Sequence, residues 1–366
     1  MNWKIILEGL KARPVRTGVT ILAVALQVSL ILVLVGLTTG TTDEIGRRVA
    51  GIGADIMFQP AGSDVILALD SATLVPEIGE KLRNDFEEIQ DVSPLLVRFN
   101  TKNFTNIFGI DPPSFEAVSG GLRYKKGKLF SAPDEIVIDD IFAKDKKLDV
   151  GDTYELEHRM FRVTGIVENG KGARVVMALK TAQELANAEN KVTVFLIKLK
   201  DSSDINGAIE KMKKDLPGYD LRNMPEYNKL MTGANIPGLD AANNVIVFVA
   251  LCIGVLVIFL SMYTTIMERT REIGILRSLG ASKVFIVGLI MKESLFICLI
   301  GVLLGMAGSV VITRTAQAYF PTMVFLISNK WLIIAAASAL MSGVIGSLHP
   351  ALKASGQDPV EAFAYE

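Results

Sequence analysis

The residue types that carry out most protein chemistry are thinly spread along this chain. Its 366 residues include two histidines, His158 and His349, and two cysteines, Cys252 and Cys298. That distribution rules out a His-Glu-x-x-His zinc site and leaves a histidine-based catalytic triad without support. The cysteines form no Cys-x-x-Cys pair and read as small apolar packing residues. Asn169-Gly-Lys-Gly172 has the glycines of a phosphate loop, but G-x-x-x-x-G-K-[ST] occurs nowhere in the chain. A P-loop is excluded, and the stretch reads as a hairpin turn. Asp134-Glu135 and Asp139-Asp140 are adjacent carboxylates of the kind acid–base catalysis needs, a pattern that strand ends and helix caps also produce. A membrane enzyme working through Asp139 and Asp140 is the least supported reading of the chain. The basic run Arg123, Tyr124, Lys125, Lys126, Lys128 suits lipid headgroups, an acidic partner, or simply a solvated loop.

The densest chemistry lies in Glu268-Arg-Thr-Arg-Glu-Ile-Gly-Ile-Leu-Arg-Ser-Leu-Gly-Ala-Ser282. Glu268, Arg269, Arg271 and Glu272 fall within five residues, and each charge would cost roughly 2.5 to 3.5 kcal/mol at the centre of a bilayer. The segment must therefore sit on a membrane face, between the apolar runs that flank it. Glu268 and Arg271 have i,i+3 spacing, while Ile273, Leu276, Leu279 and Gly280 make a facing stripe able to dock. Gly280 and Ser282 supply a helix stop and the next helix start, as expected for a compact helix rather than a polar spacer loop. Lys292-Glu293 lies farther along, inside an apolar run; an intramembrane charge is a functional candidate, and a snorkelling lysine beside a paired glutamate explains it equally.

The elements that position these residues are set by composition. Half of the residues are hydrophobic, 21% are charged, and the mean hydropathy is +0.39, which marks an integral membrane protein. Residues 17–37 carry no charge and span roughly 30 Å as a helix, the thickness of a bilayer core. Further spans are expected over 244–267, 284–312 and 330–349. The apolar run of the first is too long for a cleaved signal peptide. Lys4, Lys11, Arg13 and Arg16 precede it, and Arg269, Arg271, Arg277 and Lys283 lie between the second and third. The positive-inside rule then puts both termini and residues 268–283 in the cytoplasm, with 38–243 and the loop 313–329 outside. Residues 38–242 hold 26 Lys+Arg against 32 Asp+Glu, a net charge of −6 hidden within the overall −1.

Residues 1–16 place Trp3, Ile6, Leu7 and Leu10 on one face and read as an amphipathic helix on the inner leaflet. In the large segment, strands are expected at 55–59, 95–99, 104–110, 135–139, 153–157, 161–167, 174–179 and 192–199. Helices are expected at 76–90, 181–189 and 204–215. The fold class is an α-helical membrane protein with four transmembrane helices plus a large extracytoplasmic α+β domain. Gly301, Gly305 and Gly308 on the third span, and Ala335, Ala339 and Gly343 on the fourth, are small-residue faces for close helix contact, within the chain or between two copies.

The order of one span, a large domain and three spans resembles the MacB/FtsX-type permeases of ABC transporters. So do the Glu268–Gly280 motif and the tail Pro350-Ala-Leu-Lys-Ala-Ser-Gly-Gln-Asp-Pro-Val-Glu-Ala-Phe363. Gly151–Leu156 and Phe161–Val167 are similar to that family's outer domain. The resemblance implies that residues 268–280 are a coupling helix in a cleft of an ATPase subunit. Glu268, Arg269, Arg271, Glu272 and Arg277 would be its polar contacts, with Gly274 and Gly280 allowing close approach. It implies an ATPase that is a separate chain and binds the ATP and magnesium, no cofactor on this chain, no nucleic acid, and a second permease copy or paralogue. The expected activity is export or extraction of a substrate at the outer side of the cytoplasmic membrane, with a periplasmic adaptor and an outer-membrane channel as further partners beside the membrane lipids. The alternative is a mechanotransmitting subunit that regulates an envelope enzyme, such as a cell-wall hydrolase, without moving cargo.

Overall fold

A computed structural model of the chain describes residues 14–61, 74–100, 105–226 and 239–356. The expected amphipathic helix at 1–16 therefore lies almost wholly outside the described residues. The chain divides into a helical unit and an α/β unit. Helix α1 (Pro14–Ala50) contributes its residues up to Gly40 to the first and those from Thr41 to the second. The expected span ended at residue 37, with a small-residue linker after it. The helix continues instead because Thr38 returns its hydroxyl to Leu34 O (2.7 Å) and two i,i+4 pairs, Asp43–Arg47 and Glu44–Arg48 (2.9 Å each), hold the following turns.

The α/β unit continues with β1 (Ile56–Pro60), α2 (Glu77–Asp85), β2 (Ile89–Asn100), β3 (Thr105–Ile110), α3 (Pro112–Ser119), β4 (Tyr124–Gly127) and β5 (Glu135–Asp139). There follow α4 (Asp140–Lys146), β6 (Thr153–Leu156), β7 (Arg159–Val167), β8 (Val175–Ala178), α5 (Leu179–Leu185), β9 (Val194–Leu199), α6 (Ile205–Asp215) and β10 (Tyr219–Asn223). All ten strands join one mixed sheet in the order β10-β1-β9-β2-β3-β8-β5-β7-β4, with β6 also on β7. Period-two alternation explains how its two faces are filled. Met57, Leu95, Phe108, Val137 and Leu196 point into one core with Phe115 of α3 and Val49 of α1. Their neighbours point the other way: Phe58, Phe195 and Ile197 pack on Leu82 and Met212, and Ile107, Ile138 and Val163 pack on Phe142 and Ala182. A sheet covered on both faces accounts for its apolar strands.

Four expectations change here. The helix expected over 76–90 stops at Asp85, because Phe86 turns extended and Ile89 opens a strand against Leu199, both still buried in the core they were expected to reach. The Asn169–Gly172 stretch is not a hairpin turn: it carries the chain from β7 to β8, and β5 lies between those strands in the sheet. The basic run holds the terminal strand β4, not a loop. Helices α3 and α4 were not anticipated, although Asp111 and Asp139 cap them as short acidic N-caps do, accepting from Ser114 N (3.2 Å) and Phe142 N (2.6 Å).

The helical unit adds α7 (Leu239–Glu268), α8 (Thr270–Ser278), α9 (Lys283–Tyr319) and α10 (Asn329–Gly356). Among the described residues, four helices, 14–50, 240–268, 283–319 and 329–356, are long and apolar enough to cross a membrane. The last two outrun the expected spans, so helix takes up 313–319 and 329 of the expected loop 313–329 and leaves 320–328 as the connection, and α10 passes through Pro350, where the expected tail began. Proline is tolerated inside a packed membrane helix when neighbours take up the freed backbone groups. The rest of the tail, 357–366, lies outside the described residues.

The small-residue faces are used within the chain. A Cβ on Gly301 would stand 2.6 Å from Val24 Cγ1, and one on Gly305 would stand 2.6 Å from Ala25 O, so α9 meets α1 nearly backbone to backbone. Gly308 faces Ser29 Oγ more loosely, at 3.2 Å from its would-be Cβ, and Gly343 of α10 packs on Cys298 Sγ of α9. Ala335 and Ala339 are fully buried. Cys298 is thus a packing residue as expected, whereas Cys252 is exposed.

Candidate functional site

Helix α8 lies between α7 and α9 with its ends fixed by local chemistry. Gly280 takes φ 92°, a left-handed value that only glycine adopts without cost. Ala281 N then reaches back to Leu276 O (3.0 Å) and Gly280 N to Arg277 O (3.0 Å), closing the helix. Ser282 Oγ accepts from Phe285 N (3.2 Å) and starts α9. The stop and start signals at Gly280 and Ser282 work as their types imply.

The inner face of α8 is anchored. Thr270, Ile273 and Gly274 are buried, and Ile273 belongs to the core of the four long helices. Arg269 bridges two carboxylates, donating from Nε to Glu272 (2.8 Å) and from Nη1 to Glu293 of α9 (3.1 Å). Burial opposes the charge on Arg269, but these two carboxylates outweigh it and raise its pKa. Arg16 of α1 donates to Glu268 (2.9 Å), and Arg277 donates to the backbone carbonyl of Ser355 in α10 (3.0 Å). Polar contacts thus tie α8 and its leading residues to α1, α9 and α10. The expected i,i+3 pairing of Glu268 with Arg271 is replaced by the pair one residue later, Arg269–Glu272, because Arg16 claims Glu268. Glu293 is the paired intramembrane glutamate that its position allowed.

The outer face is different in character. Arg271, Glu272, Ile275, Ser278, Leu279 and Gly280 are exposed. Leu279 is 79% exposed and, just beyond the turn, Val284 is 81% exposed. The expected facing stripe therefore splits: Ile273 is buried, Leu276 is half-buried, and Leu279 and Gly280 face outward. Of the seven residues expected to contact another protein, Glu268, Arg271, Glu272 and Gly280 are exposed, whereas Gly274 is buried and Arg269 and Arg277 turn into the chain.

The other candidate residues sit in the α/β unit and serve its architecture. Asp139, besides capping α4, is buried among Glu44, Arg48 and Arg174. Arg48 pairs with both Asp139 and Glu44, and Arg174 donates to Glu44 (2.7 Å) and to Thr322 O (3.0 Å). Burial, and then the neighbouring Arg48, hold the Arg174 guanidinium below its ordinary pKa. Asp140 binds Lys125 (2.6 Å) and accepts from Asn169 N (3.0 Å). His158 is exposed in the two-residue turn between β6 and β7, at φ 68°. Among the described residues, no three His, Cys, Asp or Glu side chains gather as metal ligands would. The long-range partners Arg16, Glu293 and Ser355 had no signal in local spacing. Glu44 and Arg48 had one, their i,i+4 spacing just past an apolar run.

A short helix bracketed by long apolar helices, together with a large mixed-sheet domain, is the layout of a membrane protein with one large domain outside its helical unit. Family models agree over nearly the whole chain: residues 17–215 match the MacB-like periplasmic core domain and 244–359 the FtsX-like permease C-terminal region. The chain belongs to the MacB/FtsX-type permeases of ABC transporters and is a multi-pass protein of the inner membrane. It is 23% identical to the macrolide export ATP-binding/permease protein MacB of Bdellovibrio bacteriovorus over 98% of this chain and 61% of that one. It is 24% identical to MacB of Escherichia coli over 100% of this chain and 60% of that one. An ABC transporter permease of Methanocaldococcus jannaschii is 25% identical over 61% of this chain and 59% of its own length. The chain thus spans about three fifths of the length of these curated relatives. The crystal structure of the periplasmic region of MacB from Actinobacillus actinomycetemcomitans covers 51% of this chain and 96% of that one, at 18% identity and a TM-score of 0.37.

Proposed function

We propose that this chain couples ATP hydrolysis in a separate ABC-type ATPase subunit to movement of its α/β domain, for export or extraction of a substrate at the outer side of the inner membrane. The observation that carries this reading is the two-sidedness of α8. One side is fixed to three long helices, and on the other Arg271, Glu272, Ile275 and Leu279 are exposed among the described residues. A helix held on one side and bare on the other transmits a push applied to its bare side. The contact set with the ATPase is Glu268, Arg271, Glu272, Ile275 and Leu279, while Arg269, Gly274 and Arg277 keep the helix seated. Both termini and α8 lie on the cytoplasmic side and the α/β domain outside. ATP and magnesium belong to the partner, and two permease copies face two ATPases.

The test is co-purification in mild detergent from the native host, comparing the intact chain with Arg271→Glu/Glu272→Arg and with Leu279→Asp. Capture of an ABC-type ATPase by the intact chain and its loss from both variants is the expected result, and an adaptor or hydrolase in the eluate would identify the next partner. An ATPase retained by both well-folded variants removes α8 as the contact. No ATPase at all removes the coupling reading.

A further inference from the structure

At the β4 end of the sheet, the α/β domain has an open groove of about 390 Å³ between β4 and the segment from α4 to residue 149. A regular strand sends consecutive side chains to opposite faces. Here the pairing of β4 with β7 shifts register between Tyr124 and Lys126, and such bulges re-aim side chains. Lys125 and Lys126 consequently both reach the groove, where they bind Asp140 (2.6 Å) and Asp149 (2.7 Å). From the opposite wall come Lys144 and Lys147, both exposed and with no carboxylate in ion-pair reach among the described residues. Lys147 occupies the left-handed position that closes α4, at φ 55°, where glycine is the usual residue. Four ammonium groups against two carboxylates leave the groove with an excess of two positive charges. The two existing ion pairs are exposed, so they contribute little and open readily.

We propose that this groove is a docking site for an acidic segment of a partner protein, with its carboxylates seated on Lys144 and Lys147. Charge complementarity selects the occupant. The region 38–242 carries a net −6, so an extended anionic membrane surface meets repulsion from the domain as a whole, whereas a short acidic segment meets only the lysines. The same bulge that gathers the lysines breaks the regular ladder at this edge, and lysines on an edge strand oppose pairing with a second copy of it. Recognition therefore runs through side-chain charge and not through strand addition.

The full chain in neutral detergent is titrated with a fluorescein-labelled Glu-Gly-Ser repeat peptide, and binding is followed by anisotropy at low and high salt. The intact protein binds, and added salt weakens the binding. Lys144→Glu/Lys147→Glu weakens it about tenfold or more. Lys213→Glu/Lys214→Glu, the same charge change on the exposed end of α6, leaves it unaltered. Equal losses in the two double variants reduce the effect to net charge and overturn the site. Absence of peptide binding overturns it as well. Displacement of the peptide by phosphatidylglycerol vesicles, with the same dependence on Lys144 and Lys147, would make it a headgroup site instead.

Discussion

Asp139→Ala is the most informative single change in the α/β domain. The carboxylate is 1% exposed, pairs with Arg48, lies 3.7 Å from Arg174 and accepts the Phe142 amide. Its removal leaves two buried guanidinium groups sharing Glu44 and strips α4 of its cap. Breaking a buried ion pair from one side costs about 3–5 kcal/mol, and a lost cap costs about 1 kcal/mol. The two effects share one carboxylate and do not add fully, so about 4 kcal/mol is expected. At tenfold per 1.4 kcal/mol, amides of β5 and α4 that exchange through local opening should exchange about a thousandfold faster. The domain itself stays folded if its stability lies in the usual range of about 5–15 kcal/mol. Hydrogen exchange read by mass spectrometry on the full chain in detergent makes the measurement. Asp139→Asn keeps a cap acceptor and loses the charge, and should fall between wild type and alanine. Asp140→Ala removes a pair with the exposed Lys125 and one hydrogen bond from Asn169 N, with no buried charge left behind, and should change far less. Exchange of β5 and α4 within tenfold of wild type in Asp139→Ala, or an equal effect of Asp140→Ala, would refute the account of this cluster.

Gly305→Leu must push α9 off α1, because even a Cβ there meets Ala25 O at 2.6 Å; overpacking of this kind costs about 1–3 kcal/mol, seen as a lower melting temperature in detergent, whereas Gly308→Ala should melt near wild type. Glu293→Ala leaves Arg269 half-buried beside Glu272 alone, which should loosen α8 by about 3 kcal/mol and speed tryptic cleavage after Arg271; Glu293→Gln, which retains a hydrogen-bond acceptor, should cleave more slowly than the alanine variant. The α8 charge swap should release an ABC-type ATPase, and reversal of Lys144 and Lys147 should release an acidic peptide, each as set out above.

Much of this architecture was legible because apolar run length is a strong signal. All four long helices were expected, and only their ends were misplaced, chiefly at Ala50, Leu239, Tyr319 and Gly356. At the first of these, the residues past the apolar run are charged, but Asp43, Glu44, Arg47 and Arg48 satisfy one another at i,i+4 and keep the helix going. β5 was found at its observed bounds because Ile136, Val137 and Ile138 make a continuous buried run. β4 was not, since Tyr-Lys-Lys-Gly offers no buried residue and its strand character comes wholly from β7. The motif at 268–282 announced a helix and its stop. What it withheld was which of its charges face inward, because that depends on Arg16, Glu293 and Ser355, all distant in sequence or, for Ser355, contributing only a carbonyl.

The strand β1 has a consequence for biogenesis. It pairs with β9 and with β10, so its first hydrogen-bonding partner is not made until residue 194 has been added. At ordinary elongation rates that delay is roughly seven to thirty seconds. Throughout it, Ile56 and Phe58, later fully buried, have no ladder and only the early part of their core, from Leu74 to Val92. Any pause in translation between these strands lengthens the interval in which a protease or another nascent chain meets an unpaired apolar segment. Yield of the intact protein should therefore respond to synonymous codon changes in that stretch, although these leave every residue of the finished structure the same.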